Sequence, residues 1–574
     1  MGYEPKLIAP YKSGLIKYYQ PWLIGDDAFA DIFNAYAWRG AVRKREGYSF
    51  FATLPTTPVQ GIKSWLNPTS FASTSVALST TKAYYYKTSP PGYQDISYYA
   101  SPAGTAFSWS GSSTDFFWDC NFASSLWLTN NISADGIKFW TGIPGSVGVS
   151  GGWSTHAPTV NGSTQLTTAL MILPYKGRLV ALNTTEGGSY FPQRARWCQN
   201  GSPYSSNTTA VPISNITPGN PTVVFVNNTS GFALGTPAGI LGVVGSIGSV
   251  LNTNQFNVSS ITANTKISID VNTTGLTYTS GGTAQGVGTT ITPSASLAVN
   301  IFGWREDVPG NGGRSDADTS ERIVSAAIVK DVLVVNFQRS TWRLRYTGNE
   351  ILPFIWERIN TQYGSESTFA AIPFDDCALN FSRYGWIAAD TQQVARIDQQ
   401  IPDNSFSVDA QDQALTGLSY VQGIRDYYRQ FAYWTFPNQI LDADNTTTDQ
   451  VYAYNYIDKN WSIFNPNADI RCFGTYLENQ ANTWSTFNSP TTDRWMDFSS
   501  SDKKWSLLGS AQNVAFPIIL GGDSSGNIYE MFEFQQSPDT DNETNFGFSI
   551  TTKLHNKIPN KNRPDTHGAT HHIS

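Results

Sequence analysis

Apolar runs of a few residues, each followed by a tight polar turn and a second apolar run, recur along the chain. No long stretch carries the spacing of an amphipathic helix. Residues 168–175 turn at Lys176-Gly177 into 178–182, and 323–329 turn at Lys330-Asp331 into 332–336, after which 341–346 reads as a third strand. Residues 377–381 turn through 382–385 into 386–389, followed by 393–397. Residues 452–457 turn at Asp458-Lys459-Asn460 into 461–464, and 516–520 turn through 523–526 into 528–532. A weaker unit runs through 116–118, 126–128 and 137–140. Small polar turns suit reversal between antiparallel strands, and adjacent apolar residues pointing both ways suit strands covered on both faces. About six such units with no strict period predict an all-β protein in which each sheet covers the next, a β-propeller of six to eight blades. An array of β-sandwiches is the competing architecture.

The pattern changes between 214 and 300. Strand-like runs (222–227, 256–261) alternate there with Gly/Asn/Thr turns and charge nearly vanishes, which predicts a small β-domain inserted between blades. The expected organisation is an N-terminal segment and hairpin (1–55), propeller (56–213), inserted domain (214–300), propeller (301–535) and an extended C-terminal tail (536–574).

Composition agrees with a turn-rich β-protein: 48 Gly, 30 Pro and 14 % aromatic residues accompany only 4 Met. Charged residues are 14 % of 574, well below the roughly 25 % of an average soluble protein, and the net charge is −7. A dedicated nucleic-acid binder would show a basic domain or stripe instead. Cys120, Cys198, Cys377 and Cys472 lie far apart with no CxxC, so they read as small buried apolar residues, with one long-range disulfide as the alternative. The start of the chain has no apolar signal core and fails the myristoylation pattern. The longest apolar stretch, 239–251, is too short and Gly-rich to span a bilayer, so no stable membrane insertion is expected. The Asn-x-Ser/Thr sequons, such as those at Asn183 and Asn272, read as a by-product of Asn/Thr richness.

Catalytic chemistry has little raw material. Four of the 5 His (His555, His567, His571, His572) fall in the tail, and His156 stands alone, which disfavours Ser-His-Asp or Cys-His mechanisms. Carboxylate pairs (Asp26-Asp27, Asp316 with Asp318, Asp375-Asp376, Asp442 with Asp444, Asp539 with Asp541) sit in turn-like segments. His567 and His571, at helical spacing, lack a third ligand type, and Asp442-Ala-Asp-Asn445 lacks the Gly and final Glu of a calcium loop. No phosphate-binding glycine loop is present. No enzyme activity, cofactor or metal is therefore expected. Three basic clusters stand out: Arg39, Arg43, Lys44 and Arg45 in a hairpin turning at Gly40; Arg194 and Arg196 before Trp197; and Arg339, Arg343 and Arg345 around Trp342. Two readings stand for them: solvated strand faces with local ion pairs, or docking to an acidic partner subunit with glancing contact to DNA phosphates.

Several segments resemble the tail nozzle (tail tubular or packaged-DNA-stabilisation) proteins of short-tailed bacteriophages. The stretch Tyr19-Gln-Pro-Trp-Leu-Ile-Gly-Asp-Asp27, leading to Phe33-Asn-Ala-Tyr-Ala-Trp-Arg-Gly-Ala-Val-Arg-Lys-Arg-Glu-Gly47, resembles their opening hairpin. Leu126-Trp-Leu-Thr-Asn-Asn131 with Ile137-Lys-Phe-Trp-Thr-Gly142 resembles an early blade, and 175–182 continuing to 194–203 a later one. The segment from Ile216 to Gly282 is similar to a β-module repeated across phage structural proteins. The resemblance implies a structural virion protein of the tail: a homohexameric ring attached to a head-to-tail adaptor or portal ring, often with tail fibres at its side. Such a ring closes the DNA channel and conducts the genome during ejection, in transient contact with DNA. A charge-poor, slightly acidic chain suits a conduit, because each phosphate neutralised by Lys or Arg adds salt-sensitive affinity. The competing reading is an extracellular glycan-binding or glycoside-cleaving propeller.

Overall fold

The computed structural model describes residues 10–68, 73–288, 299–401, 418–436, 450–477, 517–533, 540–553 and 572–573. Its strands form seven sheets of four or more strands, together with one closed barrel and one two-stranded hairpin. In chain order the sheets are blade 1 (59–95), blade 2 (118–156), blade 3 (166–197 with 313–316), blade 4 (323–360), blade 5 (372–396), blade 6 (423–464) and blade 7 (470–533 with 47–53). The first strand of each blade lies against the first strand of the next or its neighbour, and that of blade 7, Ile470–Tyr476, returns to that of blade 1, Val59–Leu66. The ring is therefore a closed seven-bladed β-propeller, within the range the periodic units indicated.

Closure by sheet-on-sheet packing explains the aromatic content. Trp65, Trp109, Trp140 and Trp153 fill the seam between blades 1 and 2, while Trp127, Phe139 and Ile172 fill that between 2 and 3. Phe381, Trp386, Trp434 and Trp461 fill the seam between 5 and 6, and Phe431, Tyr433, Phe473 and Tyr529 that between 6 and 7. The seam between blades 4 and 5 differs: its apolar part consists of Ala327, Val329, Val334, Ala378 and Ala389. Buried amides complete it, with Asn380 donating to Asn336 (3.1 Å) and Asn336 to Thr341 (2.9 Å).

The ring is fastened by both ends of the chain. Gly47–Thr53 pairs antiparallel with Asn527–Glu533 and supplies the fourth strand of blade 7. Ala28–Phe33 adds to the outer edge of blade 6 through Phe33 and Ile463, and Ser549–Thr552 pairs in turn with Ala28–Phe33. These additions cover strand edges that would otherwise be open for pairing. The segment expected to be an extended tail thus contributes strands at Thr540–Asp541, Ser549–Thr552 and His572–Ile573.

The inserted domain is a closed barrel of Val211–Thr217, Thr222–Val226, Pro237–Val244, Gln255–Thr262, Lys266–Ile269 and Ser280–Gly286. It does not lie between blades. It leaves after the third strand of blade 3, Ser189–Trp197, and the chain returns to complete that blade with Gly313–Asp316. Gln285 tethers it, donating to Thr159 (2.8 Å) and accepting from Arg305 (3.1 Å).

All four cysteines are free, three of them buried and Cys377 half-buried. His156 is fully buried against Trp127, Phe139 and Trp304. Neither ring nitrogen has a partner among the described residues, and burial pushes its pKa down to about 3. Above the ordinary value near 6.5 the ring is neutral whether folded or unfolded. As the pH falls from there toward 3, the unfolded chain takes up a proton that the folded chain refuses, and stability drops by about 1.4 kcal/mol per pH unit. His156→Phe is expected to flatten this acid dependence, read as the change in urea midpoint between neutral and mildly acidic buffer. An unchanged difference between variant and wild type across that range would contradict the assignment.

Candidate functional site

The six basic residues of the first two clusters divide sharply. Arg194 and Arg196 are buried within blade 3. Arg194 makes a fork to Asp316 (2.7 and 2.8 Å) and donates to Glu186 (2.9 Å), while Arg196 makes a second fork to Glu186 (2.6 and 2.8 Å) and reaches Glu306 (3.2 Å). Burial pushes the Glu186 carboxyl up, but Arg196 and then Arg194 more than offset this and hold it below the ordinary range. Arg194 likewise holds Asp316 low. This network staples the third strand of blade 3 to the strand that returns after the barrel, which fixes the register of a pairing interrupted by a whole domain. The docking and DNA-contact reading fails for these two residues, because internal carboxylates occupy their guanidinia.

Arg45 is buried as well. Its guanidinium bonds both oxygens of Asp541 (2.8 and 2.5 Å), donates to Asn34 (2.8 Å) and lies over the Phe546 ring. The pair joins the N-terminal hairpin to the C-terminal strands, so Arg45 acts as a clamp and offers no free charge to a partner. Lys44 is half-buried beside the same ring.

Arg39 and Arg43 remain exposed on the hairpin Ala35–Trp38/Ala41–Lys44. The turn is Arg39-Gly40, with φ of +50° and +84°, which matches the tight reversal favoured between twisted strands. Neither guanidinium enters an ion pair among the described residues. The hairpin is seated on blade 6: Tyr36 meets Phe431 edge-on and donates to Glu46 (2.9 Å), Glu46 faces Arg429 (3.5 Å), and Trp38 stacks on Phe431. The Arg39 amide donates to Asp458 in the turn between the third and fourth strands of blade 6 (3.2 Å). In an antiparallel meander, turns joining first to second and third to fourth strands emerge on one face of the ring. On that hairpin face Tyr427, Tyr428 and Ile457 of blade 6 are exposed alongside Arg39 and Arg43.

The opposite face carries a concavity of about 830 Å³ over the thin seam between blades 4 and 5. Its walls are the turn after the second strand of blade 4 (Gln338, Arg339), the 361–366 connection, and the turn after the second strand of blade 5 (Ser382, Arg383, Tyr384), with Arg396 at its edge. The connection is held firmly. Asn360 accepts from the amides of Gln362 (2.7 Å) and Tyr363 (2.9 Å), Thr341 donates to the Tyr363 carbonyl (2.7 Å), and the Ser365 amide donates to Phe337 (2.9 Å). Gly364 sits so close to the Phe337–Arg339 backbone that a side chain there would collide with it. Arg396 is positioned by the buried Asp398 (3.0 Å), but the guanidinia of Arg339 and Arg383 enter no hydrogen bond or ion pair among the described residues. Glu366 is half-buried among Arg383, Arg322 and Arg339, and burial pushes its carboxyl up against their influence. Of the third basic cluster, Arg339 belongs here, whereas Arg343 and Arg345 pair with Glu357. Glu366, in the connection between blades 4 and 5, and Arg383 and Tyr384, in the turn after the second strand of blade 5, carry no signal in the sequence beyond those positions.

Those members of the carboxylate pairs that are among the described residues do not line this concavity, where Glu366 is the one acidic residue among the described lining residues. Asp316 is paired with Arg194, Asp26 with Lys553, and Asp541 with Arg45. Asp442, Asp444, Asp539, His555, His567 and His571 lie outside the described residues. Among the described residues no group of three or more His, Cys, Asp or Glu side chains is placed to hold a metal ion, and no helix is long and apolar enough to cross a membrane.

No family model matches the chain. No curated protein matches it either. Among solved structures it is similar to the phage phi92 endosialidase at 10 % identity, covering 78 % of this chain and 68 % of that one with a TM-score of 0.25. AztD from Citrobacter koseri in its apo form is 9 % identical over 76 % and 92 % of the two chains, with a TM-score of 0.26. Hsv2 of Kluyveromyces lactis is 7 % identical over 71 % and 97 %, with a TM-score of 0.24. With overlap this slight, the seven-bladed ring rests on the chain's own strand pairing.

Proposed function

We propose that this chain is a structural subunit of a short-tailed phage tail nozzle, assembled as a homohexameric ring that closes the genome channel and conducts DNA during ejection. The supporting observation is the hairpin 35–44. The element that carries the sequence resemblance is anchored at its base by the buried Arg45–Asp541 pair. It presents Arg39 at its turn and Arg43 on its second strand, both exposed and outside any ion pair among the described residues, beside exposed aromatic side chains. An anchored, cationic, partly apolar projection suits attachment to a like subunit of net charge −7 or to an adaptor ring above it. A propeller fastened by both termini suits a wall under the pressure of packaged DNA, since opening it requires breaking buried pairing at two places. The low charge of the chain suits a bore through which a duplex slides.

The test is the double replacement Arg39→Glu with Arg43→Glu. Both side chains are exposed, so the unfolding midpoint is expected to stay within about 0.5 kcal/mol of wild type. Light scattering is expected to show the wild-type chain as a hexamer and the variant as a monomer. A variant that assembles as well as wild type would remove the hairpin from the interface.

A further inference from the structure

We propose that the concavity between blades 4 and 5 binds a carboxylate-bearing oligosaccharide. Its volume of about 830 Å³ suits a short oligosaccharide, since ligand sites of small molecules run to roughly 300–1,000 Å³. Arg339 and Arg383 gather at it against the single carboxyl of Glu366, while Arg396 is already paired with Asp398, which leaves a local cationic excess in a chain of net charge −7. The planar guanidinia of Arg339 and Arg383, which enter no hydrogen bond or ion pair among the described residues, are suited to two-point recognition of a carboxylate. The rest of the lining is amide, hydroxyl and phenol: Gln338, Gln362, Thr361, Tyr363 and Tyr384. Such groups match sugar hydroxyls and leave no greasy wall for an apolar ligand. Tyr384 is 55 % exposed and braced edge-on by Tyr363, so its ring offers a flat face to a pyranose.

The site is also built in advance. The hydrogen bonds accepted by Asn360 and donated by Thr341 and the Ser365 amide fix the connection that walls it. Nucleic acid fits less well. The arginines converge on one concavity instead of forming a stripe that tracks a backbone, and no stack of aromatic platforms follows it. A single acidic lining residue also falls short of the carboxylate pair that most glycosidases use, so the inference is binding without cleavage. It is independent of the nozzle reading, because the site lies on the face opposite the hairpin and its test does not depend on assembly.

The experiment is calorimetric titration of the full chain with oligogalacturonate and with sialyllactose, using lactose and single-stranded DNA as comparisons. Binding of one or both acidic saccharides, with lactose weaker by at least about tenfold, is expected; which acidic saccharide binds identifies its source. Arg339→Gln with Arg383→Gln is expected to abolish binding at an unchanged unfolding midpoint. Glu366→Gln is expected to tighten it, because the carboxylate that competes for the arginines is gone, an effect that a merely structural Glu366 would not produce. Equal affinity for lactose, no binding of either acidic saccharide, or tighter binding of DNA lost in the same arginine variant would each overturn the proposal.

Discussion

Asp541→Asn is expected to destabilise the chain by about 3–5 kcal/mol, because it leaves the Arg45 guanidinium buried beside a neutral amide. Arg45 is enclosed by Asn34, Asp541 and the Phe546 ring, and water cannot take over the solvation of its charge. The partners are 496 residues apart in sequence, so the effect reports how the two ends of the chain are joined. The comparison that isolates it is Arg45→Met with Asp541→Leu, which removes both charges and fills their space. That chain is expected to lie much closer to wild type in urea midpoint than Asp541→Asn does. Limited proteolysis should separate the two as well, with Asp541→Asn releasing the 540–553 strands first. Equal midpoints for Asp541→Asn and wild type would mean that the termini are not fastened by this pair.

Glu186→Gln is the second large effect, again about 3–5 kcal/mol, since both Arg194 and Arg196 lose a buried counter-charge at once. The loss is pH-dependent, with a definite sign. Glu186 and Asp316 are held below their ordinary values, so their contribution is complete above the unfolded carboxylate range near 4 and is lost as the pH falls through the lower folded values. The gap between wild type and Glu186→Gln should therefore be wide at neutral pH and shrink in acid. Because the network spans the insertion point, the variant is also expected to expose the barrel's connecting segments to protease. A uniform gap across pH would assign the loss to packing instead of charge.

The strand pairs legible in the chain are those in which apolar or aromatic runs flank a short polar turn. The pairs 168–175/178–182, 323–329/332–336 and 452–457/461–464 became neighbouring strands in blades 3, 4 and 6, because turn residues and apolar runs carry local information about reversal. Blade 1 escaped notice. Its strands Ser73–Ser79 and Ala83–Thr88 are rich in Ser, Thr and Tyr, whose apolar faces emerge only when the neighbouring blade covers Val76, Leu78 and Tyr84. The closure was invisible for a different reason: pairing of Gly47–Thr53 with Asn527–Glu533 joins segments whose complementarity leaves no local pattern. The barrel was recognised by its lack of charge, but its exit from within blade 3 was not, since nothing before Gly313–Asp316 marks that strand as belonging to a sheet begun so much earlier. The site residues show the same limit. Arg39 and Arg45 share one basic run, yet one is exposed and the other buried, and the carboxylate that decides this lies at the other end of the chain.

A three-dimensional reconstruction of the purified full-length protein by electron microscopy tests the account most directly. It predicts six seven-bladed toroids around an open axial bore, with the hairpin 35–44 of each copy buried against a neighbour. Single propellers at every concentration, with Arg39 and Arg43 facing solvent, would contradict it.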